Sequence, residues 1–157
     1  MKARNPPRSD PEGALLSGGV LDRLLGHAIR QAKFRVRDAF AEAMIGTGLT
    51  TQRFTALVLI AENPGLKQID IAKAMGIARS GATSIISALE EQHLIERAPS
   101  PDGRAFALEL SAAGRRALPD LIARAEEHDK ALTGKLSREE VSLLKGLLAR
   151  VRLEHAP

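Results

Sequence analysis

The chain has 157 residues, 44% of them apolar and 3% aromatic, with a formal net charge of +4 and a pI near 9.8. It contains no cysteine, which excludes disulfides, thiolate nucleophiles and cysteine metal ligands. The scarcity of aromatic rings argues against single-strand binding by base stacking, whereas the basic balance suits a polyanionic partner. No apolar run approaches the ~20 residues of a membrane span and no signal peptide is recognisable, so we expect a cytoplasmic protein that does not bind membranes.

The N-terminal part combines a polar arm with a long amphipathic helix. Residues 1–19 are rich in proline, glycine and charge, which favours a flexible arm. From Val20 to Ala43 the apolar residues recur at helical spacing and predict a helix. A helix of this length exposes more apolar surface than one short neighbour covers, so we expect it to pack in part on a second subunit.

A second, cationic stripe runs along the same helix beside the apolar one. Its members are His27, Arg30, Phe34 and Arg37, with Arg35 at its edge. An aromatic ring among cations suits an anionic ligand with an apolar body, because the cations neutralise the charge and the ring covers the rest. The alternative is a solvated cationic face on which Phe34 makes a dimer contact.

Another helix follows a pair of glycines. Gly46 and Gly48 interrupt the helical period. Thr50 or Thr51 then offers a side-chain oxygen to cap the next helix, and Asn63–Gly65 supplies the turn that ends it. The apolar residues between these signals predict a helix with one buried side.

The stretch Gly65–Leu94 has the form of a helix-turn-helix. Gly76 can adopt a positive φ and so separates two short helices. The second helix has an apolar side, and its other side carries short polar residues and one cation: Arg79, Ser80, Thr83, Ser84 and Ser87. A solvated helix usually carries long Lys and Glu on its outer face, whereas this face is slim enough to lie against base edges in a major groove.

A β-hairpin is predicted directly after the helix-turn-helix. Polar and apolar residues alternate from Ile95 and again over Phe106–Leu110, which is the period of strands with one buried face. Between them, Pro99–Gly103 predicts a turn, with Asp102 and Arg104 at the tip of the hairpin. A helix-turn-helix followed by such a hairpin is a winged helix.

Two more helices are predicted at the C-terminal end. Ser111 caps the first, which runs to about Leu132. Ser137–Glu140 is a capping box that opens the second, which runs to about Leu153. These helices hold more apolar surface than a winged helix needs, so we expect them to contribute to a dimer.

The predicted architecture is therefore mainly α with a small β wing. After the arm, residues 20–157 form a single domain. Within it, residues 49–110 are the winged helix-turn-helix lobe, and residues 20–45 and 111–157 are the helices of a dimerisation layer.

The order of these elements resembles the multiple antibiotic resistance regulator (MarR) family of bacterial transcription factors. The resemblance spans about Leu21–Leu153. Its motifs are Leu66–Ala72, Met75–Ile77, Leu94–Arg97, Asp102–Arg104 and Leu108–Gly114. It implies a homodimer that binds a near-palindromic operator in double-stranded DNA, usually as a repressor that a small molecule releases.

The resemblance also implies which residues contact DNA. The second helix of the motif enters the major groove, so its polar residues face the bases: Arg79, Ser80, Thr83, Ser84 and Ser87. Arg104 enters the adjacent minor groove and is held by Asp102, since a narrow groove attracts a guanidinium. Lys67 and Arg97 are expected to contact phosphates. Lys67 stands where the family often has a Ser or Thr that caps the helix. Gly103 stands where an Arg is common, so the wing has fewer cations than usual.

For the effector, the family places a pocket where the dimer helices meet the DNA-binding lobe, lined by the opening helix. Branches of the family sense aromatic acids or aryl-CoA thioesters. Several arginines on one segment favour the phosphates of CoA over a lone carboxylate. We therefore expect an aromatic carboxylate or a CoA thioester to be bound by His27, Arg30, Phe34, Arg35 and Arg37.

Two other classes of function agree less well with the residues. A winged-helix protein-interaction module without DNA binding tends to lose its cations on the recognition helix and wing, but Arg79 and Arg104 are present. An enzyme would need candidate residues, and we find no phosphate-binding glycine loop or nucleophile motif. The four histidines lack metal-ligand spacing, and Glu126–Asp129 is typical of a solvated helix face. We therefore predict no catalytic residue, metal or cofactor.

Overall fold

The computed structural model describes residues 18–99 and 106–151. Within these ranges it contains a 3-10 helix, Gly19–Arg23, followed by α-helices and an antiparallel two-stranded sheet. The helices are α1 (Leu25–Ala43), α2 (Thr51–Glu62), α3 (Gln68–Met75), α4 (Arg79–Glu91), α5 (Ala112–Thr133) and α6 (Arg138–Arg150), and the strands are β1 (Ile95–Pro99) and β2 (Phe106–Leu110). The predicted fold class, mainly α with a small β wing, is confirmed. None of the helices in these ranges is long and apolar enough to cross a bilayer.

The chain divides into two compact units, and the boundary falls inside α1 between Arg35 and Val36. The described part of the first unit, residues 18–35, has no buried side chain. Five of its large apolar residues are 43% to 66% exposed, namely Val20, Leu21, Leu24, Leu25 and Phe34, and Ile29 is half-buried. The first unit therefore has no hydrophobic core among these residues.

The hydrophobic core belongs to the second unit. Its largest fully buried side chains are Leu57, Ile60, Ile71, Ile86, Leu89 and Leu108, which come from α2, α3, α4 and β2. At one side of this core the Phe40 ring lies 5.5 Å from the Phe54 ring and 5.7 Å from the His128 ring, measured between centroids. The aromatic contacts therefore join the end of α1 to α2 and α5.

The predicted helix caps are confirmed at the start of three helices. The Thr50 hydroxyl accepts a hydrogen bond from the backbone N–H of Arg53 at 3.3 Å, and Ser111 accepts from Gly114 at 2.9 Å. At α6, Ser137 and Glu140 form the reciprocal capping box. Because a cap needs only residues within one turn, its signal is local and can be recognised in the sequence.

Three predicted boundaries are wrong by a few residues. The opening helix is not continuous from Val20, because Leu24 is extended between the 3-10 helix and α1. An apolar stripe does not reveal this break, since a single 3-10 turn and a single α turn have nearly the same period. Pro99 belongs to β1 and not to the turn, where a strand end tolerates its missing N–H. The last helix ends at Arg150 because the next residue has a ψ of 85°, and Leu153 lies outside the described residues.

The wing is fixed at its base to α3 and α5. Strands β1 and β2 pair along their whole lengths, and the N–H of Leu108 also donates to the carbonyl oxygen of Leu66 at 2.8 Å, just before α3. On the other side, the N–H of Ser111 donates to the carbonyl oxygen of Leu94 at 3.1 Å. A Cβ atom on Gly114 would lie 1.9 Å from that oxygen. Only glycine therefore permits α5 to approach the β1 end of the wing so closely.

Candidate nucleic-acid interface

Helix α3 begins and ends within a few residues. Lys67 is its N-cap residue and makes no side-chain capping hydrogen bond, because an ammonium group cannot accept one. The Asp70 carboxylate still accepts from the backbone N–H of Lys67 at 3.0 Å, so one half of a capping box remains. At the other end Gly76 has a φ of +62°, and the N–H of Ile77 donates to the carbonyl oxygen of Ala72 at 3.0 Å. This Schellman ending places α4 directly after a tight turn.

Helix α4 has a buried and an exposed face. The buried face consists of Ala82, Ile85, Ile86, Ala88 and Leu89. Four of the five predicted base-contacting residues are exposed on the other side, namely Arg79, Ser80, Thr83 and Ser84, and Ser87 is half-buried. Because the buried face packs into the core, the short side chains of the exposed face form part of the protein surface. A helix with such a face fits a major groove, which is about 12 Å wide.

One further residue, Gln68 of α3, contacts the exposed face of α4, and no sequence pattern marks it as a site residue. Gln68 Nε2 donates a hydrogen bond to Thr83 Oγ1 at 2.6 Å, and the Thr83 hydroxyl donates to the carbonyl oxygen of Arg79 at 2.9 Å. The sequence signal for Gln68 is weak: it is a long polar side chain in the first position of α3. Its partner is 15 residues away in the chain, so the contact depends on how the two helices pack.

Hydroxyl groups on α4 donate within the helix itself. The Ser84 hydroxyl donates to the carbonyl oxygen of Ser80 at 3.2 Å, as the Thr83 hydroxyl does to Arg79. A hydroxyl has one hydrogen to donate and two lone pairs. In this arrangement Ser84 offers an incoming ligand its acceptor lone pairs, Thr83 offers one remaining lone pair and its methyl group, and neither hydroxyl is a free donor.

Arg97, the predicted phosphate contact on β1, is bound by α4. Its Nε and Nη2 atoms donate to the two carboxylate oxygens of Glu90 at 2.6 and 3.1 Å. The hydrogen bond to Glu90 raises the pKa of Arg97, with partial desolvation acting in the opposite direction. This bidentate pair ties β1 to α4 and offsets part of the Arg97 charge. A direct contact of Arg97 with DNA stays a prediction.

The two predicted phosphate contacts, Lys67 and Arg97, line the same open groove. The groove has a volume of about 320 Å³, and its other lining residues are Gln68, Ile69, Phe106 and Leu108. Phe106 is 62% exposed. The structure therefore brings the start of α3 next to both strands of the wing, with cationic and aromatic side chains in one groove.

The two predicted contacts at the tip of the wing lie outside the described residues. Asp102 and Arg104 belong to the segment 100–105, which connects Pro99 to Phe106. Pro99 and Phe106 are paired across the end of the sheet. The insertion of Arg104 into a minor groove stays a prediction.

The residues of the predicted effector site all belong to α1. They are His27, Arg30, Phe34, Arg35 and Arg37. His27 Nε2 lies 3.5 Å from Gln31 Nε2, and Arg37 Nη2 lies 2.8 Å from Asp38 Oδ1. The ring of Phe34 is outside the buried core and 45% exposed. An exposed ring on a cationic helix face agrees with the sequence pattern, and its ligand stays a prediction.

His128 lies on α5 within the acidic stretch Glu126–Asp129. The His128 ring lies edge-on against Phe40. In residues 18–99 and 106–151, no group of three or more His, Asp and Glu side chains could hold a metal ion. The geometry of the described residues therefore offers no metal centre.

Comparison with known proteins gives matches over nearly the whole chain. A family model described as "MarR family" matches residues 47–105, from before α2 to the wing. A putative transcriptional regulatory protein for the hcr operon of Thauera aromatica is 32% identical over 152 residues, which cover 96% of this chain and 91% of that protein. The regulator FarR of Neisseria gonorrhoeae is 31% identical over 77% of this chain and 84% of its own length.

Solved structures of the transcriptional repressor CouR show the same fold. CouR bound to a 23-mer DNA duplex is 34% identical, with a TM-score of 0.81 over 88% of this chain and 99% of that one. CouR bound to p-coumaroyl-CoA is 33% identical, with a TM-score of 0.80 over 90% of this chain and all of that one. The matched proteins are regulators and not enzymes, which agrees with the absence of a catalytic motif. The chain therefore belongs to the MarR family of transcriptional regulators.

Proposed function

We propose that this regulator is a homodimeric repressor that binds a near-palindromic operator through α4 and is released by a small anionic aromatic effector. The observation that carries the proposal is the slim exposed face of α4, opposite a fully packed one. CouR, at 34% identity, was solved on a DNA duplex, which supports DNA binding by this chain. In this proposal residues 49–110 are the DNA-binding lobe, and the helices within 20–45 and 111–157 form the dimer.

The dimer is supported by exposed apolar residues at the C-terminal end. Seven large apolar side chains there are 42% to 63% exposed: Leu132, Leu136, Leu143, Leu144, Leu147, Leu148 and Val151. An apolar patch of this kind on a regulator is typical of a protein interface. Sedimentation equilibrium measures the association directly. The double variant Leu143→Glu, Leu147→Glu is expected to be monomeric, and Lys145→Glu on the same helix is its charge control. If the double variant stays dimeric, the proposed dimerisation through the C-terminal helices is wrong.

DNA binding is tested by selecting duplexes from a random double-stranded library and measuring affinity by fluorescence anisotropy. We expect half-sites about one helical turn, ~10 bp, apart, because a dimer presents two recognition helices. Arg79→Ala and Arg104→Ala are expected to lower the affinity for the selected duplex while the thermal melting of the protein is unchanged. Enrichment of no sequence contradicts the proposal and favours the protein-interaction module.

The effector is tested by calorimetric titration. The cationic residues Arg30 and Arg35 lie on α1 with the exposed ring of Phe34, and CouR was solved with p-coumaroyl-CoA. We expect p-coumaric acid or its CoA thioester to bind and to lower the affinity for DNA, through a difference in ligand affinity between two conformations. Arg30→Ala and Phe34→Ala should weaken binding, whereas Arg116→Ala, an exposed cation on α5, should not. Lack of binding by both ligands contradicts this class of effector.

A further inference from the structure

We propose that Gln68 and Thr83 form one base-reading unit, in which Thr83 holds the carboxamide of Gln68 in position to recognise an adenine. The inference rests on the proposed DNA-binding function and adds a specificity-determining residue from α3 to the recognition helix. It starts from the 2.6 Å hydrogen bond between Gln68 Nε2 and Thr83 Oγ1. This bond links the two helices of the helix-turn-helix through side chains on the surface.

The hydrogen-bond pattern determines which way the carboxamide of Gln68 is turned. Thr83 has a single hydroxyl hydrogen, and this hydrogen is donated to the carbonyl oxygen of Arg79 at 2.9 Å. Thr83 Oγ1 can therefore only accept from Gln68. Its partner must be the amide nitrogen of Gln68 and not the amide oxygen, because the oxygen has no hydrogen to donate.

The carboxamide held in this way retains the groups that an adenine requires. Gln68 Nε2 has two hydrogens, and Thr83 takes one of them. A bidentate pair of Gln with adenine uses one Nε2 hydrogen, which is donated to N7, and Oε1, which accepts from the N6 amino group. In the proposed unit Thr83 takes the hydrogen anti to Oε1, so the hydrogen on the same side as Oε1 remains for the base. Thr83 therefore does not compete with the base. It reduces the conformational freedom that the long Gln68 side chain would lose on binding.

The surroundings of Gln68 are open on the side of the exposed α4 face. Together with Ile69 and Arg79 it lines a groove of about 300 Å³. The hydroxyl of Thr83 is used twice inside the protein, so Thr83 offers a base its methyl group, which suits the methyl group of a thymine. The unit thus predicts an adenine read by Gln68 in each half-site, near a thymine that contacts Thr83.

The test replaces single atoms of the DNA. In the selected duplex, each adenine of a half-site is exchanged in turn for 7-deazaadenine, which lacks the N7 acceptor. We expect one position at which the wild-type protein loses about tenfold in affinity, the range of one bidentate contact. Gln68→Ala should show no further loss at that position. Gln31→Ala, an exposed glutamine on α1, should respond as the wild type does.

Two variants separate the roles of Thr83. Thr83→Val keeps the methyl group and shape but removes the hydroxyl, so the 7-deazaadenine penalty should shrink. Thr83→Ser keeps the hydroxyl, so the 7-deazaadenine penalty should stay. It lacks the methyl group, so the DNA affinity should no longer change when thymine is exchanged for uracil. Thermal melting should show that all variants fold, with at most the small loss in Tm expected from one hydrogen bond, since Thr83 is exposed and Gln68 is half-buried.

Two results overturn the inference in distinguishable ways. If a duplex is selected and bound but Gln68→Ala retains the full 7-deazaadenine penalty, or no adenine shows one, Gln68 does not read a base. If no duplex is selected at all, the proposed DNA-binding function fails, and this inference fails with it.

Discussion

Replacing Gly114 by alanine tests how tightly α5 packs against the base of the wing. A Cβ atom at this position would lie 1.9 Å from the carbonyl oxygen of Leu94 and 2.9 Å from its carbon. Carbon and oxygen atoms in proteins normally approach no closer than about 3.3 Å. The same carbonyl oxygen accepts the N–H of Ser111 at 3.1 Å. Relief of the clash must therefore move backbone and strain or break this hydrogen bond.

The expected loss of stability follows from three contributions. Overpacking in a well-packed region costs about 1–3 kcal/mol, and the weakened hydrogen bond at Leu94 costs up to about 1 kcal/mol. Alanine recovers about 0.5–1 kcal/mol because glycine is unfavourable inside a helix. Because the clash is with backbone and not with a flexible side chain, the cost of overpacking lies at the upper end of its range. The Gly114→Ala variant should therefore lose about 2–3 kcal/mol in the free energy of unfolding. For a chain of this size, each kcal/mol corresponds to about 2–4 °C in Tm.

Thermal and urea unfolding followed by circular dichroism measure this loss, at one protein concentration because association shifts Tm. The matched control is Gly81→Ala inside α4, where the nearest atom to the new Cβ is the Ile77 Cδ1 at 3.7 Å, an ordinary contact. The control should be as stable as the wild type or gain up to about 1 kcal/mol. If Gly114→Ala unfolds at or above the wild-type temperature, the close approach of α5 to Leu94 is refuted.

Three other changes test contacts at the ends of α4 and α6. His93 ends α4 with a φ of 56°, so His93→Gly should raise the free energy of unfolding by about 1 kcal/mol in urea denaturation, and a loss would contradict a left-handed end. Glu90→Gln should release Arg97 for phosphates and steepen the slope of log affinity against log salt by up to about 1 per protomer; an unchanged slope would show that Arg97 stays away from DNA. Glu139 accepts a hydrogen bond from its own backbone N–H and a weaker contribution comes from the Ser137 hydroxyl, and both hold the pKa of Glu139 below its ordinary value of 4.5. The ionised carboxylate therefore stabilises α6 above pH 4.5, and this stabilisation disappears as the pH falls through the lowered pKa. In an NMR titration, Ser137→Ala should move the pKa of Glu139 upward, and no movement would exclude the Ser137 contact.

The parts of the fold that follow from the sequence are those with a local cause. Gly76 predicts the end of α3 because a left-handed residue is favourable for glycine, and its φ is +62°. Ser137 and Glu140 predict the start of α6 because both partners of the capping box lie within one turn. The winged helix could be predicted from such local signals and from the change of hydrophobic period at the hairpin.

The parts that could not be predicted depend on packing between elements. The sequence does not identify Gln68 as a site residue, because its partner Thr83 comes near only when α3 and α4 have packed. The positive charge of Arg97 predicts a phosphate contact, because the sequence shows the charge but not its partner. The turn that brings Glu90 within 2.6 Å of Arg97 is formed only after α4 ends and β1 pairs. The sequence thus predicts which cations lie on a polar face. It does not show which of them already form an ion pair with a neighbouring carboxylate.

The hydrogen bond between Leu66 and Leu108 has a mechanical consequence for the regulator. It joins β2 to the residue that immediately precedes the N-cap of α3, so the wing cannot tilt without pulling on the start of that helix. In the proposed DNA-binding mode, a displacement of the wing in one groove would therefore be transmitted to the helix-turn-helix in the other. Substitutions in the wing and in the helix-turn-helix should therefore have non-additive effects on DNA affinity, because this hydrogen bond couples the two elements.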